Sequence, residues 1–243
     1  MNPHFDERPY VKIIMEVGPL SVWLVDPVWT RKHLHREWTN FGHFRDPKFH
    51  DMIPFNEAWI ASGTNETEWP IFIDHMIREI HYVNQGLSFK RAEEKATALE
   101  ENERDRFNSA HYTEGPYPDV RIRTLGDAFD QENERIYHIL LVDSYQVRNA
   151  IFTRFTSGGN GAVYPFVGPE DIWVADELPG PLEWNLNALH ELEEATRMFP
   201  MMAEGMDRKQ AYEKAHPIAS RIEFEARWNP LKRDELFRKW RLP

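Results

Sequence analysis

The sequence predicts an α+β protein made of two tandem, divergent copies of one unit, each strand-rich first and helical afterwards. Three observations predict it. An ordered series of matches runs through both halves of the chain. Within each half, short apolar runs give way to long segments of helical periodicity. The composition also supports a core: of 243 residues 41% are hydrophobic and 13% aromatic, including 9 Trp, more than a disordered chain carries.

The repeat comes first, because a missed repeat misassigns the whole fold. Val22-Trp-Leu-Val-Asp26 answers Ile139-Leu-Leu-Val-Asp143, and five residues after each Asp comes an arginine, Arg31 and Arg148. Trp38-Thr-Asn-Phe-Gly42 answers Phe155-Thr-Ser-Gly-Gly159, and Asn56-Glu-Ala-Trp-Ile60 answers Glu170-Asp-Ile-Trp-Val174. Glu68-Trp69 matches Glu183-Trp184, while His75 and Glu79 fall opposite His190 and Glu194. Gly86 with Glu94-Lys-Ala96 matches Gly205 with Glu213-Lys-Ala215, and Arg106-Phe-Asn108 matches Arg227-Trp-Asn229. Copy one covers residues 1–110, and copy two, with a C-terminal helix, residues 111–243. The copies are expected to pack about a pseudo-two-fold axis, burying small-residue helix faces against each other.

The elements follow in order. Tyr10–Val17 and Val120–Leu125 read as opening strands, and Val22–Asp26 and Ile139–Asp143 as the apolar strands that follow. Thr39–Phe44 and Thr156–Gly161, rich in Thr, Gly and Asn, read as turns or hairpin tips. Ala58–Ala61 and Ile172–Ala175 read as further strands, each carrying a Trp. A helix follows, from Glu68 to about Asn84 in copy one and from Pro181 to about Ala203 in copy two, where Pro200 is expected to kink or end it. Gly86 and Gly205 stop these helices, and Ser88 or Asp207 caps the next. In that last helix of copy two, Ala211, Ala215, Ile218, Ala219, Ile222 and Ala226 recur at helical spacing as a narrow face. Ser109–Pro118 reads as a linker, Asp127–Arg135 as a charged loop, and Lys232–Arg241 as an amphipathic helix docked through Leu236, Phe237 and Trp240.

Whole classes of function fall away on composition. There is no cysteine, so disulfides, thiolate nucleophiles and cysteine-zinc sites are excluded. A net charge of −11 argues against a duplex nucleic-acid binder, which presents a basic face. No apolar run approaches the roughly 18 residues of a membrane span, and the mean hydropathy is −0.64. Residues 1–10 are polar, interrupted by proline and without a signal-peptide core, so a cytoplasmic location with no membrane partner is expected. The substrate or protein partner stays open, as does oligomerisation.

The one compact constellation is His190-Glu191-Leu192-Glu193-Glu194. Residues four apart on a helix stand one above the other, so His190 and Glu194 can hold a cation between them. Imidazole nitrogen and carboxylate oxygen are both ordinary zinc ligands. Glu191 points to the side, where it can act as base on a bound water, as in His-Glu-x-x-His helices. His216, in the next helix and just before Pro217, supplies a third donor if the helices form a hairpin. Copy one keeps His75 and Glu79 but has Met76 where Glu191 stands and Thr97 where His216 stands, which places any reactive centre in copy two. The competing account is an ordinary polar network on adjacent helix faces.

Lesser candidates have structural explanations. Asp26 and Asp143 close apolar strands, where carboxylates cap turns. Gly158-Gly159-Asn160-Gly161 can present backbone N–H groups to an anion but lacks the Lys-Ser/Thr of a P-loop. His33, His35, His43 and His50 follow no ligand spacing. Trp59, Trp173, Trp69 and Trp184 read as core.

Copy two, through Leu140-Leu-Val-Asp143, Phe155-Thr-Ser-Gly-Gly159, Ile172-Trp-Val174, Leu189-His-Glu-Leu-Glu-Glu194, Gly205-Met206 and Ala215-His216, resembles a domain of uncharacterised bacterial and phage proteins. Its strand followed by a His-Glu-bearing helix is also similar to the minimal zincin metallopeptidase core, from which it departs by having Glu194 in place of the second His. The resemblance implies a metal-dependent hydrolase acting on peptides or other amides, with zinc or another divalent metal on His190, Glu194 and His216 and with Glu191 as the catalytic base. If phage-encoded, the protein would work in the host cytoplasm or the virion. The alternative is a non-catalytic structural or interaction protein with paired domains.

Overall fold

Alternation along Val22–Val25 and Ile139–Val142 sends successive side chains to opposite sheet faces, and each unit is built outward from these strands. The computed structural model describes residues 9–36, 38, 42–45, 51–109, 120–131 and 133–242, with 106–109 described by backbone alone. The chain divides into two units, residues 1–118 and 119–243. Unit one contains β1 (Tyr10–Val17), β2 (Leu20–Val25), α1 (Pro27–His33), β3 (Gly42–Phe44), β4 (Glu57–Ala61), α2 (Trp69–Asn84) and α3 (Phe89–Ser109). Unit two contains β5 (Ile122–Asp130), β6 (Arg135–Val142), α4 (Ser144–Ala150), β7 (Gly158–Asn160), β8 (Asp171–Ala175), α5 (Pro181–Ala203), α6 (Arg208–Trp228) and α7 (Pro230–Trp240). Both are α+β, and their sheets share one topology: β1-β2-β4-β3 and β5-β6-β8-β7. In each the two inner strands run parallel and the outer pairs antiparallel.

The strand register makes the repeat exact in space. Trp23 lies beside Trp59 in unit one, and Leu140 beside Trp173 in unit two. Phe72, Ile73 and Met76 of α2 pack on Val22, Leu24, Phe44, Ala58 and Ile60. In unit two, Leu186, Leu189 and Leu192 of α5 pack on Ile139, Leu141, Ile172 and Val174. Asp26 and Asp143 are helix caps: Asp26 accepts from the N–H groups of Val28 and Trp29, and Asp143 from that of Gln146, which satisfies first-turn donors of α1 and α4. Gly86 and Gly205 end α2 and α5 at φ of +90° and +94°, the left-handed region that glycine enters without cost. Asp207 caps α6 through the Gln210 N–H, and Ser88 directly precedes α3.

Several expectations need correction. Gly158–Asn160 is an edge strand rather than a hairpin tip, because its backbone pairs with β8 from Gly158 to Asn160. Most of Asp127–Arg135 is strand, closed by a short turn in which Glu134 has φ of +52°. Pro200 does not end α5, which runs on to Ala203. The small-residue face of α6 is buried against α5 of its own unit: Ala211 and Ala215 meet Met198 there. Of the four clustered histidines, His33 lies in α1 and His43 in β3, and His50 lies outside the described residues. So do Thr39–Phe41 and the linker beyond Ser109. Among the described residues, no helix is long and apolar enough to cross a membrane.

Helix α7 docks as its periodicity predicts, burying Leu236 and Trp240 in the core of unit two. The Trp240 indole N–H donates to Glu193 Oε1 at 2.8 Å, giving that buried carboxylate a partner beyond Arg197 on its own helix. Trp240→Ala is expected to lower the unfolding free energy by about 3–5 kcal/mol through the cavity it leaves. Trp240→Phe, which keeps most of the volume and loses the N–H, is expected to cost about 1–3 kcal/mol. Denaturant unfolding of the full chain measures both.

Candidate metal centre

Helices α5 and α6 form an antiparallel hairpin, and the predicted donors meet between its arms. The Nδ1 of His216 lies 2.8 Å from Glu194 Oε1, and His190 Nε2 lies 3.9 Å from the same oxygen. The two imidazole rings meet edge to face, with centroids 5.0 Å apart. One donor atom from each of His190, Glu194 and His216 lies within 4.8 Å of the others, a group that can hold a metal ion. Zinc-type bonds of about 2.0–2.2 Å bring donors on one tetrahedral ion to about 3.4 Å apart, so adjustments of roughly an ångström complete the set. The side chains of His190 and Glu194 are 11% and 3% exposed, whereas that of His216 is 28% exposed. The group is reached from the His216 side.

A chain of ionic contacts lies behind His190. Its Nδ1 is 3.2 Å from Glu223 Oε2, Glu223 Oε1 accepts from Arg227 Nη2 at 2.8 Å, and Arg227 Nη1 donates to Glu183. With Nδ1 engaged by a carboxylate, Nε2 is the nitrogen presented to Glu194. This is the outer arrangement that orients metal-bound histidines. Unit one holds the same chain: His75 Nδ1 lies 2.8 Å from Glu100 Oε2, and Arg104 joins Glu100 to Glu68 at 2.8–2.9 Å. The chain therefore belongs to the common scaffold, and what unit two adds stands in front of it.

That addition is polar. Strand register equates Gly42 with Gly158 and Phe44 with Asn160, one residue away from the sequence match of Gly42 to Gly159. Asn160 is fully buried. Its Nδ2 donates to Glu191 Oε2 at 2.8 Å and Glu194 Oε2 at 3.0 Å, while its Oδ1 accepts from the N–H groups of Ala162 and Val163. Phe44 and Met76, which stand where unit two has Asn160 and Glu191, are core residues.

Equivalence through the ionic chain also revises the helix alignment. Arg104, not Arg106, answers Arg227, and Thr97 answers Ser220, both small, hydroxylated and buried. On that alignment Glu93 stands opposite His216. Equivalent residues on α2 and α5 are 115 positions apart, the closing glycines 119, and those on α3 and α6 123. Each arm of the second hairpin is thus longer by four residues, about one helical turn.

Sequence reasoning named the three residues that group here, and Glu191 beside them, but not Asn160, Glu223 or Ser220, whose Oγ is 3.4 Å from His216 Nε2. A signal for the last two existed: positions 216, 220 and 223 share one helix face. Asn160 was visible only as a polar residue opposite an apolar one, and only once the register was known.

Charges are strongly coupled here. Burial, then the neighbouring charge of Glu194, pushes Glu191 up to about 8. Burial alone would lower His190, but the hydrogen bond with Glu223 and the charges of Glu191, Glu223 and Glu194 raise it to about 9. Burial alone would raise Glu223, yet the hydrogen bond and charge of His190, followed by Arg227, bring it down to about 2. Burial first, then Glu191 and Glu194, raises the Tyr164 phenol.

No protein-family model, curated protein or solved structure matches this chain.

These shifts fix how stability depends on pH without added metal. His190 holds its proton more tightly folded than unfolded, so its contribution is complete below its ordinary 6.5 and is lost as pH rises through about 9. Ionisation of Glu191 costs stability between its ordinary 4.5 and about 8. Glu223 acts in the opposite sense, contributing above 4.5 and losing that contribution as pH falls toward 2. Urea unfolding in the presence of a chelator is expected to show stability falling from pH 6.5 to 9, and Glu191→Gln is expected to flatten the slope below pH 8.

Proposed function

We propose that unit two is the divalent-cation centre of a metal-dependent hydrolase, with His190, Glu194 and His216 as ligands and Glu191 as the base. The observation that carries this reading is the grouping of His190, Glu194 and His216, one donor atom of each within 4.8 Å of the others, with His190 Nε2 and His216 Nδ1 both turned to Glu194 Oε1 and the remaining nitrogen of His190 on Glu223. Two imidazoles and one carboxylate form a known ligand set of catalytic zinc, which keeps its fourth position for water or substrate. When bound, such an ion lowers the pKa of water and polarises a carbonyl oxygen. Asn160 engages Glu191 through Oε2, leaving Oε1 as the proton acceptor. A carboxylate beside the ion can accept a proton from bound water and return it to a leaving amine. Substrate approaches from the side of His216, the most exposed of the three ligands. Peptides or other amides fit this chemistry.

A second reading, a non-catalytic structural or interaction protein, is supported by the recurrence of the Glu–Arg–Glu–His chain in unit one, where no such ligand group occurs among the described residues.

Metal analysis and amide hydrolysis separate the two. After dialysis against zinc, the wild-type protein is expected to retain about one equivalent, and His216→Ala, which leaves the ionic chain intact, to lose it. Glu191→Gln is expected to keep the ion while hydrolysis of a panel of peptide and small-amide substrates falls by about 100-fold or more. Wild-type hydrolysis in Glu191→Gln would overturn the assigned base. A wild-type protein that takes up no zinc would overturn the metal reading and leave the second one standing.

A further inference from the structure

We infer that Asn160 holds Glu194 as a one-oxygen ligand and thereby selects a small first-row ion of the zinc type over calcium. This rests on the metal reading above and names the class of ion that the centre takes.

The geometry of Asn160 permits one orientation of its amide. Its Oδ1 accepts from two backbone groups, Ala162 N–H at 3.0 Å and Val163 N–H at 3.2 Å, so the Nδ2 hydrogens must face α5. There they go to Glu191 Oε2 and Glu194 Oε2. The Glu194 carboxylate is therefore divided: Oε2 belongs to Asn160, and Oε1 faces His216 and His190. Two-oxygen binding by Glu194 would take Oε2 from a fully buried amide and leave a hydrogen without an acceptor. Calcium takes six to eight oxygens, often with carboxylates binding through both of theirs. Asn160 withdraws one oxygen from each of the two nearest carboxylates, and the two imidazoles suit zinc, cobalt or nickel. In unit one the equivalent strand position is Phe44, which offers no amide.

The test titrates zinc and calcium into the full-length wild-type protein, Asn160→Ala and Asn160→Ser, and records the absorption of each protein loaded with cobalt(II). Serine retains an oxygen for the Ala162 and Val163 amides but is too short to tie both carboxylates, so it guards against misfolding of the alanine variant. The wild type is expected to prefer zinc and to give the intense visible bands of four-coordinate cobalt. In the variants zinc affinity is expected to fall about 10–100-fold, calcium affinity to hold or rise, and the cobalt bands to weaken as coordination expands. Folded variants with an unchanged zinc-to-calcium ratio and unchanged cobalt bands would overturn the role of Asn160 while leaving the metal centre intact. X-ray absorption on the zinc-loaded wild type supplies a measurement independent of any variant. A shell of about four nitrogen and oxygen neighbours supports the inference, and an expanded shell with both Glu194 oxygens overturns it. A wild type that binds no zinc overturns the metal centre and this inference together.

Discussion

An arginine buried between a glutamate of its own helix and one at the N-terminal end of the facing helix fixes the register of each hairpin. In unit two Arg227 bridges Glu183 and Glu223, and in unit one Arg104 bridges Glu68 and Glu100. Taking such groups out of water is costly, and removing a single partner leaves an uncompensated buried charge worth about 3–5 kcal/mol. An apolar core of the same volume can be equally stable, so net stability alone does not account for the chain. Geometry does. The guanidinium accepts only certain positions for its carboxylates, and the helices cannot slide past one another without breaking it. In each hairpin the second of these glutamates, Glu223 or Glu100, then faces a histidine on the opposite helix, so the register that holds the hairpin also aims the imidazole.

The two units share this frame and differ in what stands before it. Unit one fills the space between helix and edge strand with Phe44, Phe72 and Met76. Unit two has Asn160, Asn187 and Glu191 at the corresponding positions and lengthens both arms of its hairpin by a turn. The added turns lie at the tip of the hairpin, beyond Glu194 and His216, and leave the ionic chain beneath undisturbed; His216 itself takes the place of Glu93. Glycine lets the edge strand approach the helix in both units: a Cβ would lie 2.2 Å from Asn187 Oδ1 at Gly158 and 2.9 Å from Met76 Cε at Gly42.

Much of this was legible in the sequence, and the exceptions have physical causes. The repeat, the apolar strands, the glycine stops and the docked C-terminal helix follow from periodicity and backbone preference, which act locally. His190, Glu191 and Glu194 were legible because one helix fixes their spacing. His216 required a hairpin, which Gly205 and the small-residue face of α6 made visible. Helices α1 and α4 were missed, each only seven residues long and too short for a periodic signal, although their caps, Asp26 and Asp143, stood out. Strand β7 was missed because glycine disfavours strands; pairing with β8 overrides that preference. Asn160 was obscured by the same glycines, and its partners lie more than 30 residues away. The ionic chain joins elements across 33 and 44 residues, and no local pattern announces such contacts.

Charge balance ties these features together. Glu183, Glu191, Glu194 and Glu223 are set into one hairpin, and Arg227 is the permanent cation among them. Without a bound ion, protons must make up part of the difference. Burial opposes the charge of His190, but Glu223, Glu191 and Glu194 raise it to about 9, and burial followed by the charge of Glu194 raises Glu191 to about 8. A ligand imidazole must be neutral at its donor nitrogen and a ligand carboxylate ionised, so in the proposed centre an entering divalent ion displaces protons the fold already holds. Ion and protons then compete for the same deficit of positive charge. Unit one, with Met76 in place of Glu191, lacks that buried carboxylate. The carboxylates that would hold a cation in the second hairpin are therefore also a source of its dependence on pH.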